Sequence, residues 1–256
     1  RDRGDDVAEV LREDATVTMR ACALMESGTG GGSVSGASTV RSAAVCTEQV
    51  DGAQSDLPGD GSASDQYQIS NASELQAMED DLDAKYELVN DIDAPRTAQF
   101  NSGSGFDPVG GNEFNESTPS PFTGTFDGTT NTITGLTISR PGRDNVGLFG
   151  VTGSGATVTD VTFADVTVTG VNQVGGVVGR NEGNITDSSA SVSVTGDTQV
   201  GGLVGQNLGA VKNATASGDV TAAKAVGGLV GNNNGGPIRN ATASGSVNGS
   251  EEVGGL

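Results

Sequence analysis

The sequence predicts an all-β protein: a right-handed parallel β-helix, or solenoid, of roughly seven coils with a short helix near its N-terminal end. Similar blocks of sequence return every 26 or 27 residues, their residues alternate between apolar and small polar types, and Gly, Asn and Asp separate them. A repeat of this length is typical of solenoids, propellers and arrays. Alternation with a period of two is typical of strands with one buried face.

The repeat is clearest in a glycine-rich hexapeptide. Val174–Gly179 returns as Val200–Gly205 and Val226–Gly231, and Val253–Leu256 opens a further copy, so we expect the repeats to extend beyond the printed sequence. A degenerate earlier copy begins at Val146. Two more blocks follow each full hexapeptide in the same order, the second starting at Asn181, Asn207 and Asn233 and the third at Ser189, Thr215 and Thr242.

Each repeat is predicted to form three short strands joined by three corners. No apolar residues recur at helical spacing, and Gly, Ser, Thr and Val dominate, which excludes helical repeats. The apolar alternation changes phase near Asp187, Asn213 and Asn240, which places a corner there, because Asn and Asp tolerate left-handed backbone geometry. In the hexapeptide, Val200 and Val204 share one face and Leu203 the other. Either a bulge at the glycine pair or burial of both faces explains this pattern.

These blocks resemble the GLUG motif, a short repeat of bacterial and archaeal surface proteins that include adhesins and some immunoglobulin-A peptidases. The resemblance covers residues 146–256. It implies an extracellular repeat protein, and the peptidase activity does not carry over because that activity depends on an HExxH segment and this chain has no His. The residues to which we assign structural roles in the motif are Gly175, Gly176, Gly179, Asp187, Gly201, Gly202, Leu203, Gly205, Asn213, Gly227, Gly228, Leu229, Gly231 and Asn240.

Four segments are predicted along the chain: an N-terminal segment of unknown type (1–51), a Pro/Gly/Asp/Ser-rich linker (52–66), N-terminal coils with a capping helix (67–145) and the GLUG-type repeats (146–256). We expect Ser73 to be the N-cap of the helix, with Leu75, Met78 and Leu82 on one face. Such a helix would cover strand edges that the first coil leaves open.

The composition restricts both the chemistry and the environment. The chain carries 33 acidic against 13 basic residues, a net charge of −20, and has no His. The acidic excess argues against nucleic-acid or anionic-membrane partners and predicts adaptation to concentrated salt, most simply in a haloarchaeon. Without His there is no Ser-His-Asp triad and no HExxH zinc site. No apolar run in this sequence is long enough for a membrane span.

Several residues are candidates for particular chemistry. Cys22 and Cys46 are a candidate disulfide, with two free thiols as the alternative. Acidic residues near Asp80–Asp83 and at Asp91 and Asp93 lack the spacing of a calcium loop, so we interpret them as solvated ends of elements. Asp127 is interpreted as a turn residue rather than a catalytic acid. The candidate N-glycosylation sequons begin at Asn71, Asn115, Asn184, Asn213, Asn240 and Asn248.

The sequence therefore predicts a non-enzymatic repeat protein, extracellular or at the cell surface, that acts as a rigid stalk or adhesion module. No catalytic, cofactor or metal residue is assigned, and the expected partners are surface glycans or other cell-surface proteins. The alternative is a carbohydrate-active β-helix enzyme, a polysaccharide lyase or glycosidase whose active site lies partly outside this sequence. A spacer that binds nothing is the third hypothesis.

Overall fold

The structure, a computed structural model, describes residues 57–111 and 120–255. There the chain forms a parallel β-solenoid of about five coils, which confirms the predicted fold class. The prediction of roughly seven coils was too high. Seven strands stack in one sheet of the described residues, but two of the other sheets contain four strands each. The predicted N-terminal segment with Cys22 and Cys46, and the sequon at Asn115, lie outside the described residues.

The strands of the described residues lie in four sheets, named here A to D. Sheet A contains β1 (Tyr67–Ile69), β2 (Lys85–Leu88), β4 (Thr125–Asp127), β8 (Thr157–Thr159), β12 (Asn184–Thr186), β16 (Ala210–Lys212) and β21 (Ile238–Arg239). Sheet B contains β3 (Ile92–Asp93), β5 (Thr132–Thr134), β6 (Thr137–Ser139), β9 (Thr162–Thr169), β13 (Ser189–Thr195), β17 (Thr215–Ser217), β18 (Val220–Thr221), β22 (Thr242–Ser244) and β23 (Val247–Asn248). Sheet C contains β7 (Phe149–Thr152), β11 (Val178–Asn181), β15 (Val204–Asn207) and β20 (Val230–Asn233). Sheet D contains β10 (Asn172–Gly175), β14 (Thr198–Gly201), β19 (Lys224–Gly227) and β24 (Glu251–Gly254).

A repeat contributes a strand to each of the four sheets, so the prediction of three strands per repeat was wrong. The chain passes through sheets A, B, D and C in that order before it enters the next coil. Residues one repeat apart are paired in register, as Val200 is with Val174 and Val226. The period read from the sequence is therefore the length of one coil.

The core changes character along the solenoid. In the N-terminal coils it contains aromatic rings, with the centroids of Phe122 and Phe149 4.7 Å apart and those of Phe126 and Phe149 5.6 Å apart. In the repeats it consists mainly of stacked aliphatic side chains. The following are each less than 5% exposed: Val174, Val200 and Val226, Val178, Val204 and Val230, Ile185 and Val211, and Ala190 and Ala216. Full burial of a side chain such as valine stabilises the fold by about 1.5–3 kcal/mol.

A short helix lies near the N-terminal end, as predicted, but its N-cap is not Ser73. Helix α1 (Ala72–Gln76) begins after Asn71, whose Oδ1 accepts hydrogen bonds from the backbone N–H groups of Ser73 and Glu74, both at 3.0 Å. A 3₁₀ turn (Ala77–Asp80) continues it. Leu75 and Met78 are fully buried in the common core, whereas Leu82 is partly buried. A second 3₁₀ turn (Pro95–Gln99) precedes the helical turn α2 (Phe100–Gly103).

Candidate functional site

The hexapeptide forms a tight arch between sheets D and C. Strand β14 ends at Gly201 and β15 begins at Val204, so the chain turns at Gly202 and Leu203. Val200, Leu203 and Val204 are all fully buried. The change of phase in this block therefore comes from a corner between two strands, not from a bulge inside one strand.

Two glycines allow the two arms of the arch to pack backbone against backbone. A Cβ on Gly205 would lie 2.4 Å from the carbonyl carbon of Gln173 and 2.5 Å from the nitrogen of Val174, in the preceding coil. A Cβ on Gly201 would lie 2.2 Å from the carbonyl oxygen of Val204. The same contacts recur one repeat earlier at Gly175 and Gly179, and one repeat later at Gly231.

The middle glycine of the arch stacks on its counterparts in the neighbouring coils. Gly176 N–H donates to the carbonyl oxygen of Gly202, and Gly202 N–H to that of Gly228, both at 3.2 Å. A Cβ on Gly202 would lie 2.3 Å from the carbonyl oxygen of Gly228. Gly227 pairs in register with Gly201, and Leu229 is fully buried like Leu203.

The corner between sheets A and B carries a row of Asp and Asn residues, named here the corner row: Asp160, Asp187, Asn213 and Asn240. Their φ angles are 54°, 51°, 52° and 49°, the left-handed region that Asn and Asp tolerate better than most residues. Nδ2 of Asn213 donates to Oδ1 of Asp187 at 2.8 Å, and Nδ2 of Asn240 to Oδ1 of Asn213 at 3.1 Å. From Asp187 to Asn240, the corner row thus links consecutive coils through side chains as well as backbone.

A second row of amides begins inside the solenoid and reaches the surface at Asn233. This core amide row consists of Asn181, Asn207 and Asn233, with Nδ2 to Oδ1 distances of 2.8 and 2.9 Å. Asn181 and Asn207 are fully buried, and Oδ1 of Asn181 also accepts from Thr152 at 2.8 Å and from the N–H of Gly183 at 3.1 Å. Sequence reasoning assigned these residues no role, although each begins the second block of its repeat.

The comparison with protein families agrees with this geometry. A family model described as the GLUG motif matches residues 170–195, 196–221 and 222–248. The chain therefore contains three consecutive GLUG repeats. It is also 36% identical over 137 residues to Halomucin from Haloquadratum walsbyi, a match that covers 52% of this chain and 1% of that relative. No solved structure matches the chain.

The GLUG coils contain another left-handed row that the sequence did not reveal. Asn145, Gln173, Gln199, Ala225 and Glu252 have φ angles between 52° and 57°. Each directly precedes the Val-Gly of its hexapeptide. The four from Gln173 to Glu252 lie within sheet D strands, and the register pairing of those strands skips them. Gln, Ala and Glu have no special tolerance for this geometry, which is why residue type gave no signal here.

The outer side of sheet B is a nearly uncharged array of hydroxyl groups, named here the hydroxyl face. One in-register column consists of Thr132, Thr162, Ser189, Thr215 and Thr242, and another of Ser139, Thr169, Thr195, Thr221 and Asn248. Asp165 and Asp219 are the charged residues of the five segments 132–139, 162–169, 189–195, 215–221 and 242–248. This surface therefore differs in its low charge from a chain whose net charge is −20.

Asp127 and Asp91, two of the carboxylates considered as catalytic or metal-binding groups, have structural partners. Oδ1 of Asp127 accepts from Thr129 N–H at 2.7 Å, and Oδ1 of Asp91 accepts from Thr132 N–H at 2.8 Å. Asp107 lies between the guanidinium groups of Arg140, at 3.5 Å, and Arg143. Within residues 57–111 and 120–255, no group of three or more Asp, Glu, His or Cys side chains is arranged to hold a metal ion.

A shallow cleft lies beside Asp107 and its partners Arg140 and Arg143. Its volume is about 220 Å³, and its lining includes one carboxylate, Glu79, and one guanidinium, Arg143. Glycoside hydrolysis generally uses two carboxylates about 5–10 Å apart. Among the described residues that line this cleft, a second carboxylate is missing. No helix of the described ranges has the length and apolarity needed to cross a membrane.

Proposed function

We propose that this chain is a non-enzymatic, rigid segment of a cell-surface or secreted protein and serves as a stalk or adhesion module. The observation that carries the proposal is the uninterrupted stacking of coils from β4 to β24, in which each coil is paired in register with the next. The name of the relative, Halomucin, and its source, a haloarchaeon, support an extracellular setting in concentrated salt.

Rigidity follows from how the coils are joined. Backbone hydrogen bonds connect neighbouring coils along all four sheets, and the core amide row adds side-chain hydrogen bonds in the interior. Bending the solenoid would have to break several of these bonds together, and a buried donor or acceptor left without a partner costs about 1–3 kcal/mol. A short stiff rod is the property that a stalk requires.

The hydroxyl face is the surface best suited to contact a partner. Ser191, Ser193 and Thr195 are exposed, and their side chains make no hydrogen bond with other described residues. Hydroxyl groups donate and accept, so they can pair with sugar hydroxyls or with polar protein groups. A face with little charge also brings little electrostatic repulsion to the approach of an acidic partner. Surface glycans and other cell-surface proteins are the partners we propose.

A glycan array combined with a polysaccharide depolymerisation assay tests the proposal. Specific binding without cleavage supports adhesion, whereas new reducing ends or unsaturated sugars would identify the carbohydrate-active enzyme instead. Silence in both assays supports a stalk or spacer. In the case of binding, Ser191→Glu with Ser193→Glu should lower affinity at least about tenfold by placing charge on the hydroxyl face. The matched control, Ala223→Glu with Asn234→Glu, adds the same charge at exposed positions outside it.

A further inference from the structure

The described residues contain five Asn-x-Ser/Thr sequons, and the structure places their amides in different environments. We propose that Asn184 and Asn248 carry N-linked glycans, whereas Asn213 and Asn240 stay bare because their amides hold the corner row together. Asn71 belongs with the bare group, since its Oδ1 caps helix α1. Glycans at Asn184 and Asn248 would be compatible with either a stalk or an adhesive role.

Asn184 has the environment that a modification enzyme needs. It is exposed at the start of β12, and its register partners in the adjacent coils are Thr157 and Ala210. Its side chain makes no hydrogen bond within the described part of the chain, so the amide is free to turn outward. Coils stack on both sides of Asn184, so its exposure is a property of the sheet A surface itself.

Asn248 shares with Asn184 its exposure and its free side-chain amide. It is exposed in β23, pairs through its backbone with Thr221, and is followed by Gly249 and an exposed Ser250. Its side chain likewise has no hydrogen-bond partner among residues 57–111 and 120–255. The glycine between Asn248 and Ser250 adds no side chain that would restrict access to the sequon.

Asn213 and Asn240 differ although they too are exposed. Both are held at left-handed φ angles, and each directs an Nδ2–H to the side-chain oxygen of the residue one coil earlier. Asn213 also accepts from Asn240, so its amide is fixed on both sides. Turning either amide outward would break these hydrogen bonds, and we expect modification to be slowed roughly fivefold or more per bond lost.

The chemistry explains why the nitrogen must be free. Nδ2 attacks the anomeric carbon of a sugar activated as a phosphate ester on a lipid carrier. A C–N bond forms, the bond from the anomeric carbon to the phosphate oxygen breaks, and the lipid phosphate leaves with the electron pair. One Nδ2 proton is lost to a base. An Nδ2 already committed to Asp187 must release that hydrogen bond before it can enter the active site of the transferase.

The test compares folded and denatured full-length chain as substrates of a glycosyltransferase that accepts Asn-x-Ser/Thr, with its lipid-phosphate sugar donor. Glycopeptide mass spectrometry measures the rate at each asparagine. In the folded chain, Asn184 and Asn248 should react at least about fivefold faster than Asn213 and Asn240. In the denatured chain, all four should react at similar rates.

Equal or faster reaction at Asn213 in the folded chain would overturn the proposal, and so would an unreactive Asn184 in the folded chain when it reacts in the denatured one. Asp187→Ala removes the acceptor of Asn213, so the rate at Asn213 should rise while that at Asn184 stays constant. Asp165→Ala, which removes an exposed carboxylate outside the corner row, is the matched control. Circular dichroism of each variant verifies that the substrate is folded. If the folded wild-type chain shows no difference in rate between the two pairs of asparagines, that result alone refutes the assignment.

Discussion

Asn207 donates a hydrogen bond from Nδ2 to Oδ1 of Asn233 at 2.9 Å, while its own Oδ1 accepts from Asn181 at 2.8 Å. One fully buried amide is thus satisfied by the coil before it and the coil after it. Backbone hydrogen bonds join the coils along the sheets, and the side-chain hydrogen bonds of Asn207 join them through the interior. Its energetic weight can be measured directly.

Replacing Asn207 with Ala should destabilise the solenoid by about 2–4 kcal/mol, because two hydrogen bonds are lost and the buried Nδ2 of Asn181 is left without its acceptor. This corresponds to a melting temperature lower by roughly 5–10 °C, measured by circular dichroism at fixed salt. The control is Asn232→Ala, at the half-buried position beside Asn233, where the change should stay within about 0.5 kcal/mol. Equal effects of the two substitutions would contradict an energetic role for the core amide row.

Replacing Gly205 with Ala should be more harmful, with a loss of about 3 kcal/mol or more. The added Cβ would meet backbone atoms of Gln173 and Val174 at 2.4 and 2.5 Å, and backbone atoms cannot move aside as a flexible side chain can. Gly142→Ala is the control, because a Cβ there meets nothing within 4 Å and its φ is not left-handed. Chemical denaturation of both variants gives the comparison, and a wild-type midpoint for Gly205→Ala would show that the arch has room to open.

Asn207 and Gly205 also show which features of the fold could not be predicted from the sequence. The coil length and the corner at Asp187, Asn213 and Asn240 were predictable, because the repeat is visible in the sequence and Asn and Asp have a known backbone preference. The contact of Gly205 with Gln173 joins positions 32 residues apart in different coils, so no local pattern reveals it. The fourth strand was missed for a related reason, since its corner at Gly202 and Leu203 contains no Asn, Asp or Pro.

The N-terminal end shows a smaller error of the same kind. Asn71 and Ser73 are both good N-cap residues, and the sequence alone gave no reason to prefer Asn71. The choice is decided by β1, which ends at Ile69 and leaves Ser70 to donate its N–H to Oε2 of Glu74 at 2.6 Å. The tertiary path of the chain therefore set the helix boundary.

Asp83 provides a prediction about pH. A side-chain hydrogen bond with Asp81, together with repulsion between the two carboxylates, raises the pKa of Asp83 above its ordinary value of 3.8. A folded-state pKa above the unfolded one means that the folded chain binds the proton more tightly, so stability rises as pH falls from the raised value toward 3.8. At neutral pH the charged pair is destabilising.

Asp83→Asn should therefore give a small increase in melting temperature at neutral pH and low salt, and none at a pH well below the ordinary carboxyl pKa, where wild-type Asp83 is already protonated. Molar salt should reduce the increase, because both carboxylates are solvated. Asp93→Asn, at an exposed carboxylate at the end of β3, controls for the general loss of one negative charge. Melting curves at two pH values and two salt concentrations suffice, and an increase that persists at low pH would rule out the titration of Asp83 as its cause.

Replacing Ala225 with Gly tests the left-handed row, because the sign of the change in stability depends on the backbone conformation at this position. Ala225 is 7% exposed and has a φ of 52°, a geometry that costs a residue with a Cβ about 1–2 kcal/mol. Glycine removes this cost but loses about 0.5–1 kcal/mol more chain entropy on folding, so Ala225→Gly should stabilise the fold by roughly 0.5 kcal/mol.

The control, Ala216→Gly, at a fully buried position in the regular strand β17, should destabilise the fold by about 1 kcal/mol. The two alanines lie in the same coil and undergo the same chemical change, so opposite shifts of the denaturation midpoint would arise from backbone geometry alone. Destabilisation by both substitutions would mean that Ala225 is not held in the left-handed conformation in solution.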